Sequence, residues 1–109
     1  MIAAAALFLA QVAATAMPQA FHGEWQAAKQ QCGGEQENML KVSRSSISFY
    51  EATFSPRRVQ RTDRRTLSMR GIWQEDGQDT PATLRLSLSA DSNRLTVQSP
   101  WWSTKLVRC

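Results

Sequence analysis

The feature that most constrains the fold is an alternation of apolar and polar residues with a period of two. Leu84, Leu86 and Leu88 alternate with Arg85 and Ser87. Similar alternation occurs around residues 40–42, 47–50, 58–60, 67–73 and 94–98. Successive side chains of a strand point to opposite faces, so this pattern is typical of strands that have one face on a core and the other in water. The sequence therefore predicts an all-β protein.

Short polar segments rich in turn-forming residues separate these strands. They are Ser43–Ser46, Ser55-Pro56, Thr62–Arg64, Asp76-Gly77, Ala90–Asn93 and Ser99-Pro100. Such short connections make consecutive strands antiparallel neighbours. With an opening strand at 21–25 and a closing strand at 104–108, we expect a meander of about eight strands that closes into a small barrel. A two-sheet β-sandwich is the alternative, and residues 24–31 fit either a short helix or a strand with a helical exit.

The N-terminal sixteen residues are uncharged and almost wholly apolar or small. Their apolar stretch is shorter than the about 20 residues that a membrane span requires. Ala14-Thr15-Ala16 places small residues where a signal peptidase cleaves, although no Lys or Arg follows Met1. We predict a signal peptide at 1–16 and one domain at 17–109, periplasmic or secreted, monomeric and without a transmembrane segment. A buried N-terminal helix is the alternative.

The two cysteines, Cys32 and Cys109, enclose most of the predicted domain. Small exported domains often depend on a disulfide for stability, and no spacing of Cys or His indicates a metal site. We therefore predict one disulfide between Cys32 and Cys109, with free thiols as the alternative. This bond would also hold the C-terminal strand in place.

Catalytic signatures are weak throughout the sequence. His22 is the only histidine, and no serine lies in a Gly-x-Ser-x-Gly motif. The carboxylates Glu75, Asp76 and Asp79 surround Gly77 and fit a solvated hairpin loop better than a calcium site. We expect no enzymatic activity, no cofactor and no metal.

Arginines are concentrated in one predicted hairpin and are opposed there only by Asp63. They are Arg57, Arg58, Arg61, Arg64, Arg65 and Arg70. Guanidinium groups bind carboxylates and phosphates through paired hydrogen bonds, so the hairpin could bind an anionic protein surface or an anionic envelope polymer. Nucleic acid is not an expected partner of an exported protein. The alternative is a solvated hairpin whose charge prevents edge pairing.

Two further features are candidates for binding. Trp101 and Trp102 follow Ser99-Pro100, and adjacent residues of an extended chain cannot both face one core. At least one tryptophan is therefore expected at the surface, where aromatic residues anchor interfaces, unless one plugs the barrel end and the other stacks on an arginine.

The segment Ile47–Glu51 carries the other feature. If Ile47 and Phe49 face inward, the same parity predicts that Glu51 also faces inward. It would be paired with Arg57 or Arg61, either in a structural ion pair or inside a ligand cavity.

The segment Phe21-His22-Gly23-Glu24-Trp25 resembles the Gly-x-Trp opening of lipocalin-type barrels. This resemblance implies that Trp25 closes one barrel end beneath an arginine of the last strand, for which Arg108 is the candidate. In architecture the expected barrel is also similar to bacterial periplasmic inhibitors of lysozymes and of secreted proteases.

These features together favour an exported β-barrel binding protein. It would act as an inhibitor or adaptor on an envelope macromolecule through loops at one barrel end, formed by Trp101, Trp102 and the hairpin 57–65. One alternative is a carrier of a small apolar or anionic ligand, with Phe49, Met69, Trp73 and Leu86 lining its pocket. The other is a structural envelope protein with no discrete ligand.

Overall fold

The computed structural model describes residues 16–109, which form eight β-strands and two short 3-10 turns. The strands are β1 Gly23–Gln26, β2 Leu40–Val42, β3 Ile47–Phe49, β4 Ala52–Asp63, β5 Thr66–Glu75, β6 Gln78–Leu88, β7 Arg94–Gln98 and β8 Ser103–Arg108. The 3-10 turns are Gln19–Phe21 and Lys29–Gln31. The ambiguous segment 24–31 is thus a strand as far as Gln26, followed by a single helical turn.

The eight strands form a closed antiparallel barrel in simple sequence order. Closure comes from β1 and β8, in which Trp25 lies opposite Arg108 and Gln26 lies opposite Val107. The predicted all-β meander barrel is confirmed, and the sandwich alternative is wrong. The opening strand begins two residues later than predicted, at Gly23, and the closing strand begins one residue earlier, at Ser103.

The alternation that predicted the strands also fills the barrel interior. On β6, Leu84 and Leu86 are fully buried while Arg85 between them is exposed. Other fully buried side chains of the interior are Ile47, Phe54, Leu67, Leu95 and Val97, with Met69 and Leu106 almost fully buried. A small barrel of this kind is a packed core whose own side chains occupy its centre.

Consecutive strands are antiparallel, so successive turns alternate between the two ends of the barrel. We define the aromatic end by the turns Tyr50–Glu51, Asp76–Gly77 and Ser99–Trp102. We define the arginine end by the turns Ser43–Ser46, Arg64–Arg65 and Ser89–Asn93, together with the segment that precedes β1.

The arginine end is closed by the segment before β1 and by the last strand. Phe21 and Trp25 are fully buried, and the Trp25 indole Nε1 donates a hydrogen bond to the Phe21 carbonyl at 3.1 Å. The Arg108 guanidinium lies 4.2 Å from the centre of the Trp25 ring. It also donates to the carbonyl oxygens of Ala20, His22 and Ser92. The pairing of Trp25 with Arg108 that the resemblance implied is confirmed.

The predicted disulfide between Cys32 and Cys109 is confirmed. It attaches the β1–β2 loop and the C-terminus to the outside of β1, where the Cys109 amide donates to the Glu24 carbonyl at 3.0 Å. The Glu24 carboxylate in turn accepts hydrogen bonds from the Gln26 side chain and from the Gly33 amide. These two bonds hold the pKa of Glu24 below its usual value.

The prediction that Glu51 faces inward is wrong. β3 ends at Phe49 and β4 begins at Ala52, so Glu51 lies in the turn between them, with φ of 63° and an exposed side chain. Side-chain parity holds only along a continuous strand, and this turn interrupts it. Glu51 therefore forms no buried pair with Arg57 or Arg61.

The predicted signal peptide spans residues 1–16. All of it except Ala16 lies outside the described residues. Among residues 16–109 there is no helix with the length and apolar character needed to cross a membrane. A disulfide is typical of proteins in an oxidising compartment, such as the periplasm or the extracellular space.

Candidate functional site

A cavity of about 370 Å³ opens at the aromatic end. Its apolar lining comes from Met39, Leu40, Phe49, Ala52, Trp73, Val97, Trp102 and Leu106. Its polar lining comes from Glu37, Asn38, Tyr50, Glu75, Ser103 and Thr104. A volume of this size is at the lower end of the range for small-ligand sites, about 300–1,000 Å³. The cavity lies at the mouth of the barrel, above the packed interior.

Trp73 is at the centre of the aromatic residues around this cavity. Its position on β5 follows the inward parity of Leu67 and Met69, and it is 8% exposed. The Phe49 ring, at the end of β3, lies 4.7 Å from the Trp73 ring between centroids. Strand register therefore brings these two residues, 24 positions apart in the sequence, into one wall.

The β7–β8 turn adds two more aromatic rings to this wall. The Ser99 hydroxyl accepts hydrogen bonds from the amides of Trp101 and Trp102, which fixes the turn. The Trp101 ring lies 5.4 Å from Trp73, and the Trp102 ring lies 5.7 Å from Phe49, both in edge-on geometry. The adjacent tryptophans therefore both contact the same aromatic wall, although neither is buried.

Large apolar side chains are exposed at this end of the barrel. Within residues 16–109, the exposed large hydrophobic residues are Trp101 at 54%, Tyr50 at 41% and Trp102 at 37%. All three lie in turns of the aromatic end. Clustered exposure of this kind marks an interaction site more often than single surface residues do.

The charged residues that line the cavity and the two shallower depressions beside it are all carboxylates. Glu37 and Glu75 line the cavity, and Glu51, Asp76 and Asp79 line the two shallower depressions beside it. Glu75 lies two residues after Trp73 on the same strand and accepts a hydrogen bond of 2.8 Å from the Trp73 indole Nε1. This bond fixes the carboxylate at the edge of the aromatic wall.

The predicted arginine hairpin corresponds to β4 and β5, and its six arginines are all exposed. Arg58 lies directly opposite Arg70, next to a register shift between Pro56 and Arg58 that contains Arg57. At the tip, the Arg61 side chain donates to the Arg64 carbonyl, and the Asp63 carboxylate accepts from the Arg65 amide. The latter bond lowers the pKa of Asp63.

The hairpin tip and the tryptophan pair lie at opposite ends of the barrel. Arg64 and Arg65 form the β4–β5 turn, whereas Trp101 and Trp102 belong to the β7–β8 turn, and these turns are separated by an odd number of strands. The two sets therefore do not form the single contact surface that we expected from the sequence.

The residues proposed for an internal pocket are also separated by the structure. Phe49 and Trp73 line the cavity at the mouth, whereas Met69 and Leu86 lie in the filled interior. Glu37, Tyr50 and Glu75 were not predicted from the sequence as binding residues. Glu75 could have been recognised because it lies two residues after Trp73, on the same face of the strand.

Comparisons with models of protein families, with curated proteins and with solved structures found no match for this chain. The role of the aromatic end must therefore be inferred from its own residues.

Proposed function

We propose that this chain is an exported binding protein that contacts an envelope macromolecule through the aromatic end of its barrel and acts as an inhibitor or adaptor. The observation that carries the proposal is the difference between the two ends. The arginine end is closed by Phe21, Trp25 and Arg108, whereas the aromatic end is open and exposes Tyr50, Trp101 and Trp102.

The chemistry of these exposed residues supports an interface. Tryptophan and tyrosine supply large contact areas with few rotatable bonds, and they are enriched among the residues that carry most of the binding energy of interfaces. The Ser99 hydrogen bonds and the contacts with Trp73 and Phe49 hold both tryptophans in place before binding. A preordered surface loses less conformational entropy when a partner binds.

The filled interior favours this function over that of a carrier. Met69 and Leu86, which would have lined an internal pocket, are buried in contact with the rest of the core. A barrel whose own side chains occupy its centre has no room for an enclosed ligand. The cavity at the mouth is suited to a group that projects from a larger partner.

A second candidate function is the binding of an anionic envelope polymer along the arginine hairpin. Arg58 and Arg70 are directly opposed across β4 and β5, and like charges in this position destabilise a sheet. An anion bound between the two guanidinium groups would relieve that repulsion.

Replacing Trp101 and Trp102 with serine should abolish capture of the partner while leaving the fold intact. Both side chains lie in a surface turn outside the packed interior, so the strands should still pair without them. If both tryptophans are hot-spot anchors, their removal costs about 2 kcal/mol or more each, roughly a thousandfold in affinity together. The measurement is quantitative affinity capture from an envelope extract with the full chain and its disulfide intact.

The matched control replaces Arg58 and Arg70 with serine. Capture that depends on the tryptophans and not on the arginines supports the aromatic end as the binding surface. The reverse dependence would contradict this proposal and support the polymer-binding alternative, especially if that capture weakens steeply with salt.

A further inference from the structure

The cavity at the aromatic end combines two features that suit a cationic group. Its wall is formed by Phe49, Trp73 and Trp102, and its charged lining residues are carboxylates. Each feature alone is common on protein surfaces, but their combination at one opening restricts the ligand chemistry.

The rings contact each other in tilted and edge-on geometry and are not stacked face to face. The Trp73 and Trp102 rings lie 6.2 Å apart with an interplanar angle of 67°, and Phe49 is tilted by 46° from Trp73. Trp73 is 8% exposed and Trp102 is 37% exposed, so the ring surface that a ligand can reach belongs mainly to Trp102. The face of an aromatic ring is negative in its quadrupole and attracts a lysine or arginine head group, most strongly in the case of tryptophan.

The charge that lines the cavity and its two neighbouring depressions is opposite in sign to the net charge of the whole chain. The protein carries 13 Lys and Arg against 9 Asp and Glu, for a formal charge of +4. Five of those nine carboxylates nevertheless line the cavity and its two neighbouring depressions, namely Glu37, Glu51, Glu75, Asp76 and Asp79. No Lys or Arg lines any of these three openings. A cationic group approaching this end is therefore favoured over an anionic or neutral one.

Glu75 connects the carboxylates to the aromatic wall. Its Oε1 accepts the hydrogen bond from the Trp73 indole, which leaves Oε2 available to a second donor. A cation held over the aromatic rings could thus donate to this oxygen, with the carboxylate already oriented.

We infer that the cavity receives a lysine or arginine side chain of a protein partner. This inference rests on the proposed function and specifies the chemistry of that binding surface. The exposed rings of Trp101 and Tyr50 would contact the apolar surface around the inserted side chain, and Glu75 would accept its hydrogen bond. The surface of the partner around this side chain would also be basic.

Short peptides test this chemistry without knowledge of the partner. The full chain, labelled with ¹⁵N, is titrated with acetyl-Ala-Lys-Ala-amide, with the arginine equivalent and with a norleucine version that lacks the charge. The indole signals of Trp73, Trp101 and Trp102 report on the cavity, while the indole of Trp25 at the closed end is an internal reference. Shifts that saturate with the cationic peptides and leave Trp25 unchanged are the expected result.

The variant Glu75→Gln separates charge from shape. The glutamine oxygen can still accept from the Trp73 indole, but the negative charge is lost, so affinity for the cationic peptides should fall about tenfold. The control Asp91→Asn removes a carboxylate at the arginine end and should change nothing. Equal affinity for the norleucine and lysine peptides, or equal affinity of the Glu75→Gln and native proteins, would overturn the inference.

Failure of this inference is distinguishable from failure of the proposed function. If partner capture depends on Trp101 and Trp102 but the peptides show no preference for positive charge, the cationic ligand is wrong and the binding surface stands. If capture does not depend on the tryptophans, the binding surface itself is wrong.

Discussion

Replacing Cys32 and Cys109 together with serine should lower the free energy of unfolding by about 4 kcal/mol, the loss expected when a loop of this length is no longer closed in the unfolded chain. The two cysteines are 77 residues apart, so their bond restricts most of the described chain. Domains of this size are stable by roughly 5–15 kcal/mol, and this loss is therefore a large share of the total. The bond also holds Cys109 against Glu24, and with it the strand pair that closes the barrel.

Urea unfolding of the oxidised protein, the double serine variant and the reduced native protein measures this effect. The variant and the reduced protein should unfold at the same lower urea concentration, because both lack the crosslink and keep the remaining contacts. A midpoint in the double variant equal to that of the oxidised protein would show that the disulfide contributes nothing to stability. A much lower midpoint in the variant than in the reduced protein would show instead that the serines themselves disrupt packing.

Replacing Gly71 with alanine should destabilise the barrel by about 3 kcal/mol, near the upper end of the usual cost of overpacking. Gly71 lies on the inward face of β5, opposite Pro56, where β4 approaches β5 very closely. A methyl group there would clash with the Ser55 carbonyl oxygen and lie 2.8 Å from the Phe54 ring and 2.9 Å from the Pro56 Cα. Because two of these atoms are backbone atoms, β4 itself must move.

The intrinsic strand preference and the packing predict opposite changes in the free energy of unfolding for Gly71→Ala. Alanine within a strand is favoured over glycine by roughly 0.5–1 kcal/mol on conformational entropy, so a stabilised Gly71→Ala variant would contradict the close approach seen here. Gly77→Asn is the matched control. Gly77 lies in the β5–β6 turn with φ of +74° and open space where a Cβ would lie, and asparagine tolerates this conformation. The control should change the free energy of unfolding by less than about 1 kcal/mol.

The barrel could be predicted from the sequence because its strands and turns are encoded by short local patterns. Alternation such as Leu84-Arg85-Leu86 fixes a strand and its inward face, and short polar turns fix antiparallel order. The alternation of inward and outward side chains did not extend to Glu51, because the turn after Phe49 interrupts the strand. Gly71 carried no signal either, because the approach of β4 to β5 depends on the register shift after Pro56 and not on any local pattern.

The candidate site was predicted only in part because it depends on which turns share an end. The tryptophan pair was identified from its chemistry, and Phe49 and Trp73 were identified as inward residues. The arginine hairpin was joined to the tryptophans because both looked like binding segments, but strand order places them at opposite ends. Counting the strands between two turns decides this, and it requires strand boundaries that the sequence gives only approximately.

The most direct test of the proposed function is photocrosslinking from each end of the barrel in an envelope extract. A photoreactive phenylalanine replaces Tyr50 at the aromatic end in one protein and Arg64 at the arginine end in another, and both positions are exposed. Our account predicts a discrete crosslinked partner from position 50 that disappears when Trp101 and Trp102 are replaced, and none from position 64. A partner that crosslinks from position 64 and not from position 50 would contradict it.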